Sequence, residues 1–227
     1  MEPALRLKRL EAARLYFVCD AAADPAELDG LLGLALAGGA DVIQLRDKRA
    51  PGRALRAAAS VFAEAAAEHG AIFIVNDEPA LAVAGGADGV HLGQDDAGVA
   101  AAREVLGAGS IIGLSTHRPS QLDAALAAEG PGRPDYVSIG PVWETPTKPG
   151  RPASGLDYVR YARERATPAA MPWFAIGGID PTNVAEVVAA GAERIVVVRA
   201  IRDAPSPGEA SRRLREALPD GAGLGAR

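Results

Sequence analysis

Three segments carry the residues best suited to chemistry. Gln44-Leu45-Arg46-Asp47-Lys48 places an amide, a guanidinium and an ammonium at alternate positions, which turns all three to one side of a strand and its exit. Gln44 interrupts an apolar run, so once buried it needs a partner, and a ligand is one such partner. Arg46 and Lys48 suit an anionic ligand, although a charged loop is the plainer account of one such segment alone. Asn76-Asp77 and Gly93-Gln94-Asp95-Asp96 then bring two carboxylates, Asp77 and Asp96, onto successive loops. Two carboxylates in one cleft imply either raised pKa values or a bound cation. With basic residues nearby, a Mg²⁺ ion bridging carboxylates to phosphates fits best. Helix capping is the alternative, and Asp95 suits it better than Asp96.

Ser115, in Gly113-Leu114-Ser115-Thr116-His117, either donates to a ligand or caps a helix opening at Pro119. No G-x-S-x-G elbow is present, which argues against a serine hydrolase. Thr145-Pro146-Thr147-Lys148-Pro149-Gly150 combines two hydroxyls and an ammonium in a proline-stiffened loop. It reads as an oxyanion clamp and a cover for the site. Ile176-Gly177-Gly178-Ile179 lets backbone N–H groups approach an anion, or else relieves packing. No G-x-G-x-x-G dinucleotide fingerprint follows any strand. His69 reads as a helix-end residue, His91 as a satisfied lumen residue and His117 as ambiguous; the three have no zinc spacing.

These residues need a scaffold that gathers them at one end. Short β-branched runs begin at Leu15, Asp41, Ile72, Gly89, Ile111, Tyr136, Trp173 and Arg194, and amphipathic stretches separate them. Asp24-Pro25-Ala26-Glu27 starts one helix, with Leu28, Leu31, Leu32, Ala35 and Leu36 on one face. Leu55, Ala58, Ala59, Phe62, Ala65 and Ala66 repeat that face, and Asp180-Pro181 opens another helix with Val184, Val187 and Val188 inward. A signature recurs at GGADVIQL (Gly38), GGADGVHL (Gly85) and AGAERIVV (Ala190), read as a helix-to-strand turn. Eight strand–helix units with no break favour a single-domain (β/α)8 TIM barrel over an open doubly wound sheet. The boundaries expected are an N-terminal helical extension over 1–14, the barrel over 15–218 and a flexible tail over 219–227. In such a barrel the polar segments above all fall at the C-terminal strand ends, where reactive groups collect.

Composition narrows the class. The 227 residues carry a formal charge of −5, which offers no broad basic surface to nucleic acid. Hydrophobic residues make up 48% and aromatics 4%, so a core of Ala, Val, Leu and Ile is expected. The one cysteine, Cys19, forms no internal disulfide. No apolar run is long enough to span a membrane and no signal peptide is evident, so a soluble cytoplasmic protein is expected. Apolar helix faces leave a homo-oligomer open.

QLRDK at Gln44, ND at Asn76, DGVHLGQDD at Asp88, GLSTH at Gly113, TPTKPG at Thr145 and IGGI at Ile176 stand in order over nearly the whole chain. Together they resemble thiamine-phosphate synthase. IGGI alone is weak; the combination of QLR-x-K, ND, GQ-x-D and T-x-TK is specific. The resemblance implies a barrel enzyme that joins 4-amino-2-methyl-5-hydroxymethylpyrimidine diphosphate to 4-methyl-5-(2-phosphooxyethyl)thiazole, releasing diphosphate. It implies that Gln44, Arg46, Lys48, Asn76, Ser115 and Lys148 contact the pyrimidine diphosphate, with Arg46, Lys48, Lys148 and Ser115 serving catalysis. It further implies Asp77 and Asp96 as Mg²⁺ ligands, and Thr145, Thr147, Gly178, Val198 and Arg199 as thiazole-phosphate contacts. Tyr16 and His91 are expected to flank the pyrimidine. Arg199 departs from the pattern, since many relatives carry a small serine there. The rivals are a thiazole tautomerase, which shares the Ser-x-His segment, and a non-catalytic sensor of phosphate ligands on the same barrel.

Overall fold

Eight parallel strands close on one another in chain order: β1 (Leu15–Cys19), β2 (Val42–Leu45), β3 (Ile72–Asn76), β4 (Gly89–Leu92), β5 (Ile111–Thr116), β6 (Tyr136–Ile139), β7 (Trp173–Ile176) and β8 (Ile195–Val197). β8 pairs back onto β1, with Tyr16 opposite Val196. The computed structural model describes residues 2–22, 24–145, 150, 152–167 and 169–219. The architecture is the (β/α)8 TIM barrel, preceded by a short helix. Side chains alternate as the two-residue period requires. Leu15 and Phe17 of β1 pack outward under the helices, whereas Tyr16 and Val18 point into the lumen. Both faces are therefore apolar, as a parallel sheet covered on both sides demands. Aromatics are scarce but not peripheral: all four phenylalanines are buried, and Tyr16, Tyr136 and Phe174 cluster in the lumen with centroids 5.5–6.0 Å apart. The expected purely aliphatic core is thus corrected by a ring of three aromatics at its centre.

The helices follow the sequence signals closely. In α2 (Pro25–Ala37) the Asp24 carboxylate accepts the Ala26 N–H at 2.8 Å. Leu28, Leu32, Ala35 and Leu36 are buried there, and Leu31 is half-buried. α3 (Gly52–His69) buries Leu55, Ala58, Ala59, Phe62, Ala65 and Ala66, the face read from spacing, and stops at left-handed Gly70. α4 (Pro79–Ala84), α5 (Val99–Leu106), α6 (Pro119–Ala127) and α7 (Gly155–Ala166) complete the next crossovers, followed by α8 (Val184–Ala189), α9 (Arg199–Arg202) and α10 (Pro207–Ala217). α8 starts later than Asp180-Pro181 suggested. Asp180 spends its carboxylate on the Thr182 N–H while Asn183 accepts the Asp180 N–H, so these residues form a turn ahead of the helix. Val184 and Val187 are buried and Val188 only half-buried. Three strands end early as well. Gly140-Pro141 is a cis peptide after β6, Gly177 and Gly178 take positive φ after β7, and Arg199 already belongs to α9.

α1 (Pro3–Ala12) lies under the N-terminal end of the barrel, where Leu10 packs into the lumen cluster. Arg6 pairs with Asp88 at 2.8 Å. The recurring G-x-A-D signature turns out to hold this end together. Asp41 accepts the N–H groups of Arg14 and Leu15 at 2.7 and 3.0 Å, and Asp88 accepts that of Phe73 at 3.1 Å. Each aspartate thereby ties the start of its own strand to the strand before it. Asp135, outside the repeats, does the same for Ile112 at 2.7 Å. The third copy substitutes Glu193, which is about half-exposed and 3.9 Å from Arg194. No helix among the described residues is long and apolar enough to cross a membrane.

Candidate active site

A cavity of about 320 Å³ opens at the C-terminal ends of the strands. Gln44, Arg46, Asn76 and Ser115, from β2 and its exit, β3 and β5, line it together with Thr145, Gly178, Val198 and Arg199, from the segments after β6, β7 and β8. Eight of the residues singled out from the sequence therefore converge on one space. Thr147 and Lys148 lie outside the described residues.

The floor is a buried polar network. Gln44 Nε2 donates to the Tyr16 hydroxyl at 2.6 Å, and that hydroxyl lies 3.0 Å from the Tyr136 hydroxyl. The Tyr136 hydroxyl in turn is 2.9 Å from His91 Nδ1, and His91 Nε2 is 2.9 Å from Ser115 Oγ. Gln44 thus finds the partner it needs in Tyr16 while still reaching the cavity. His91 is a satisfied lumen residue with both ring nitrogens engaged. Burial raises the pKa of both phenols, so both remain protonated. Ser115 sits inside β5 rather than at a helix start; α6 begins after Arg118 with no side-chain cap, which removes the capping reading. Tyr136 and Ser138 were not singled out from the sequence. Ser138 had the signal that marked Gln44, a polar residue within an apolar strand, and its Oγ lies 3.4 Å from His91 Nε2. Gln94 was also missed: it donates to the Ser115 carbonyl at 2.7 Å and so braces the end of β5. His117 lines the cavity and donates from Nδ1 to the Gly140 carbonyl at 2.6 Å.

Asp77 and Asp96 meet at the rim. Asp77 takes a left-handed backbone conformation, φ 62°, with its N–H held by the His91 carbonyl at 2.9 Å. Asp96 accepts the Gly93 N–H at 2.7 Å. Neither caps a helix, since α4 and α5 begin without side-chain caps. Burial and the adjoining Asp96 carboxyl push the Asp77 carboxyl above the usual range, against the pull of Lys48. Lys48 Nζ lies 3.0 Å from Asp77 Oδ2 and is well exposed. β2 has ended by Leu45, so the strand alternation that carries Gln44 inward no longer governs Lys48, which turns to Asp77 instead of the cavity wall.

The turn after β7 presents backbone to the cavity at Gly177 and Gly178. A Cβ at Gly177 would lie 2.4 Å from Pro141 Cβ, and one at Gly178 2.9 Å from Trp143 Cβ. Packing alone therefore requires both glycines, and their bareness also exposes the main chain to the cavity. Asn183 Nδ2 fixes this turn by donating to the Gly178 carbonyl at 2.8 Å. Arg199 opens α9, is exposed and reaches the cavity. Its charge, after that of Arg202, helps keep the Asp203 carboxyl below the usual range. Cys19 is no nucleophile, because burial pushes its thiol up to about 12.

The profile of the thiamine monophosphate synthase family matches residues 15–201. A thiamine-phosphate synthase of Thermobifida fusca (strain YX) is 51% identical over 218 residues, covering 96% of this chain and 97% of that protein. One from Arthrobacter sp. (strain FB24) is 47% identical over 230 residues, covering 94% and 97%. Among solved structures, the thiamine phosphate pyrophosphorylase of Pyrococcus furiosus superposes with a TM-score of 0.79 at 32% identity, over 95% of this chain and all of that one. A match over residues 15–201, joined to a closed barrel of eight parallel strands, means that the chain belongs to the thiamine monophosphate synthase family.

Proposed function

We propose that this protein is a transferase that condenses 4-amino-2-methyl-5-(diphosphooxymethyl)pyrimidine with 4-methyl-5-(2-phosphooxyethyl)thiazole, giving thiamine phosphate and diphosphate. The observation that carries the reading is the pairing of Asp77 with Asp96 beside Lys48, on the loops that follow β3, β4 and β2, at the same end of the barrel as a cavity lined by Asn76, Arg46 and Arg199. A tautomerase has no use for a diphosphate clamp of this kind.

Asp77 and Asp96 suit a Mg²⁺ ion, which takes one or two carboxylates and completes its shell with water and phosphate oxygens. Burial, and after it the adjoining Asp96 carboxyl, raises the Asp77 carboxyl, and a cation held between the two would favour their ionised forms. Bound there, the ion would neutralise charge on the departing diphosphate. Arg46 and Lys48 supply further positive charge on the same side, and Lys148 adds to it on the family pattern. Gln44, Asn76 and Ser115 orient the pyrimidine. Departure of diphosphate leaves the pyrimidine methylene as a carbocation stabilised by the electron-rich ring, so no side-chain nucleophile is required. Thr145, Thr147, Gly178, Val198 and Arg199 hold the thiazole phosphate so that the ring nitrogen faces that methylene, which makes bond formation effectively unimolecular. As a biosynthetic enzyme acting on phosphorylated small molecules, the protein is placed in the cytoplasm, with a homo-oligomer left open.

The test is direct. Purified protein mixed with both substrates and Mg²⁺ is expected to yield thiamine phosphate and diphosphate in equal amounts. Isomerisation of the thiazole without coupling would favour the tautomerase, and tight binding of either substrate without turnover would favour the sensor.

A further inference from the structure

The buried network under the cavity has a direction. An amide nitrogen can only donate, so Gln44 Nε2 makes the Tyr16 hydroxyl an acceptor. The single Tyr16 proton then goes to the Tyr136 hydroxyl at 3.0 Å, and the single Tyr136 proton goes to His91 Nδ1 at 2.9 Å. Reversing either step would leave a buried phenol proton without an acceptor, which costs more than the bond it replaces. With Nδ1 accepting, the neutral imidazole carries its proton on Nε2 and donates to Ser115 Oγ at 2.9 Å. Both phenols keep their protons because burial disfavours the phenolate.

We infer that Tyr136 is a positioning residue which, through the His91 tautomer, fixes the Ser115 hydroxyl as a hydrogen-bond donor into the cavity. Tyr136 is fully buried and does not line the cavity, so it acts only through its neighbours. Space for its hydroxyl is made by Gly113, where a Cβ would lie 2.5 Å from the Tyr136 hydroxyl oxygen. The consequence is chemical. A serine beside a histidine ordinarily suggests a nucleophile and its base, but here the histidine donates to the serine and cannot take its proton. Ser115 instead offers its own proton to an acceptor on the ligand, a phosphoryl oxygen or a ring nitrogen of the pyrimidine diphosphate. The identity of that ligand rests on the function proposed above; the direction of the network does not.

The two are tested separately. ¹⁵N NMR of the histidine-labelled, ligand-free protein is expected to find the His91 proton on Nε2 and an Nδ1 signal shifted by the hydrogen bond it accepts, a shift lost in Tyr136→Phe. A proton on Nδ1 in the wild type, or an Nδ1 signal unmoved by Tyr136→Phe, would overturn the inference whatever the enzyme does. In the coupling assay Tyr136→Phe should raise KM for the pyrimidine diphosphate roughly ten-fold, the scale of one hydrogen bond to a charged group, and leave KM for the thiazole phosphate unchanged. Added to Ser115→Ala it should cause no further loss, because the two act along one path. Independent, additive losses would assign Tyr136 to packing alone. Absence of coupling in the wild type would defeat the functional reading and leave the NMR result to decide the rest.

Discussion

Asp77 and Asp96 are held apart in sequence by 18 residues and together in space by two backbone contacts: the His91 carbonyl on the Asp77 N–H and the Gly93 N–H on the Asp96 carboxylate. The burial of Asp77, with the Asp96 carboxyl beside it, has a measurable sign. A carboxyl with a raised pKa binds its proton more tightly when folded, so metal-free stability falls as pH rises from the usual carboxylate range through the raised value. Asp77→Asn should therefore melt higher than the metal-free wild type at neutral pH and lose that advantage in acid; a lower melting temperature at neutral pH would contradict the raised Asp77 carboxyl. Asp77→Asn combined with Asp96→Asn should abolish Mg²⁺-dependent coupling with the barrel intact by circular dichroism, and full activity would refute the metal assignment. Arg199 and Arg46 both line the cavity, at the ends of β8 and β2. Arg199→Ser should raise KM for the thiazole phosphate about 10-fold or more, the worth of a hydrogen bond to a charged group; an unchanged KM would place the guanidinium outside the phosphate site. Much of this was legible in the sequence because polar residues inside apolar strands stand out, as Gln44 and Ser115 do. Tyr136 did not stand out, since a tyrosine in a strand reads as an ordinary core residue and its hydroxyl matters only through partners on other strands.

At the scale of elements, all eight strands and the faces of α2 and α3 follow from periodicity, whereas several ends do not. β6, β7 and β8 stop at a cis proline, a pair of left-handed glycines and a four-residue helix. Each is a feature of backbone geometry that hydrophobic pattern leaves unmarked. The G-x-A-D signature shows the same limit. It reads as a turn, and the turn is there, but the aspartate's task is visible only once the preceding strand is beside it. Asp41→Ala strands the N–H groups of Arg14 and Leu15. Stability should drop by about 1–3 kcal/mol per unsatisfied group, measured by urea unfolding, with KM values unchanged in the folded fraction. A loss below about 0.5 kcal/mol, ordinary for a surface substitution, would show that the staple does little.

The whole molecule divides its tasks between two ends. The N-terminal end is closed by α1, by Asp41, Asp88 and Asp135, and by ion pairs such as Arg6–Asp88 and Arg103–Asp135, none of which reaches the cavity. The C-terminal end gathers carboxylates, guanidinium groups and bare backbone, as barrels of this kind do. That division is what lets separate motifs, scattered from Gln44 to Arg199, act on one ligand pair. The most direct test of the account is a crystal structure with Mg²⁺ and diphosphate bound. It should show the cation held by both Asp77 and Asp96, with the diphosphate reaching Arg46 and Lys48. A cation bound elsewhere, or a diphosphate seated only against Gly178 and Arg199, would contradict it.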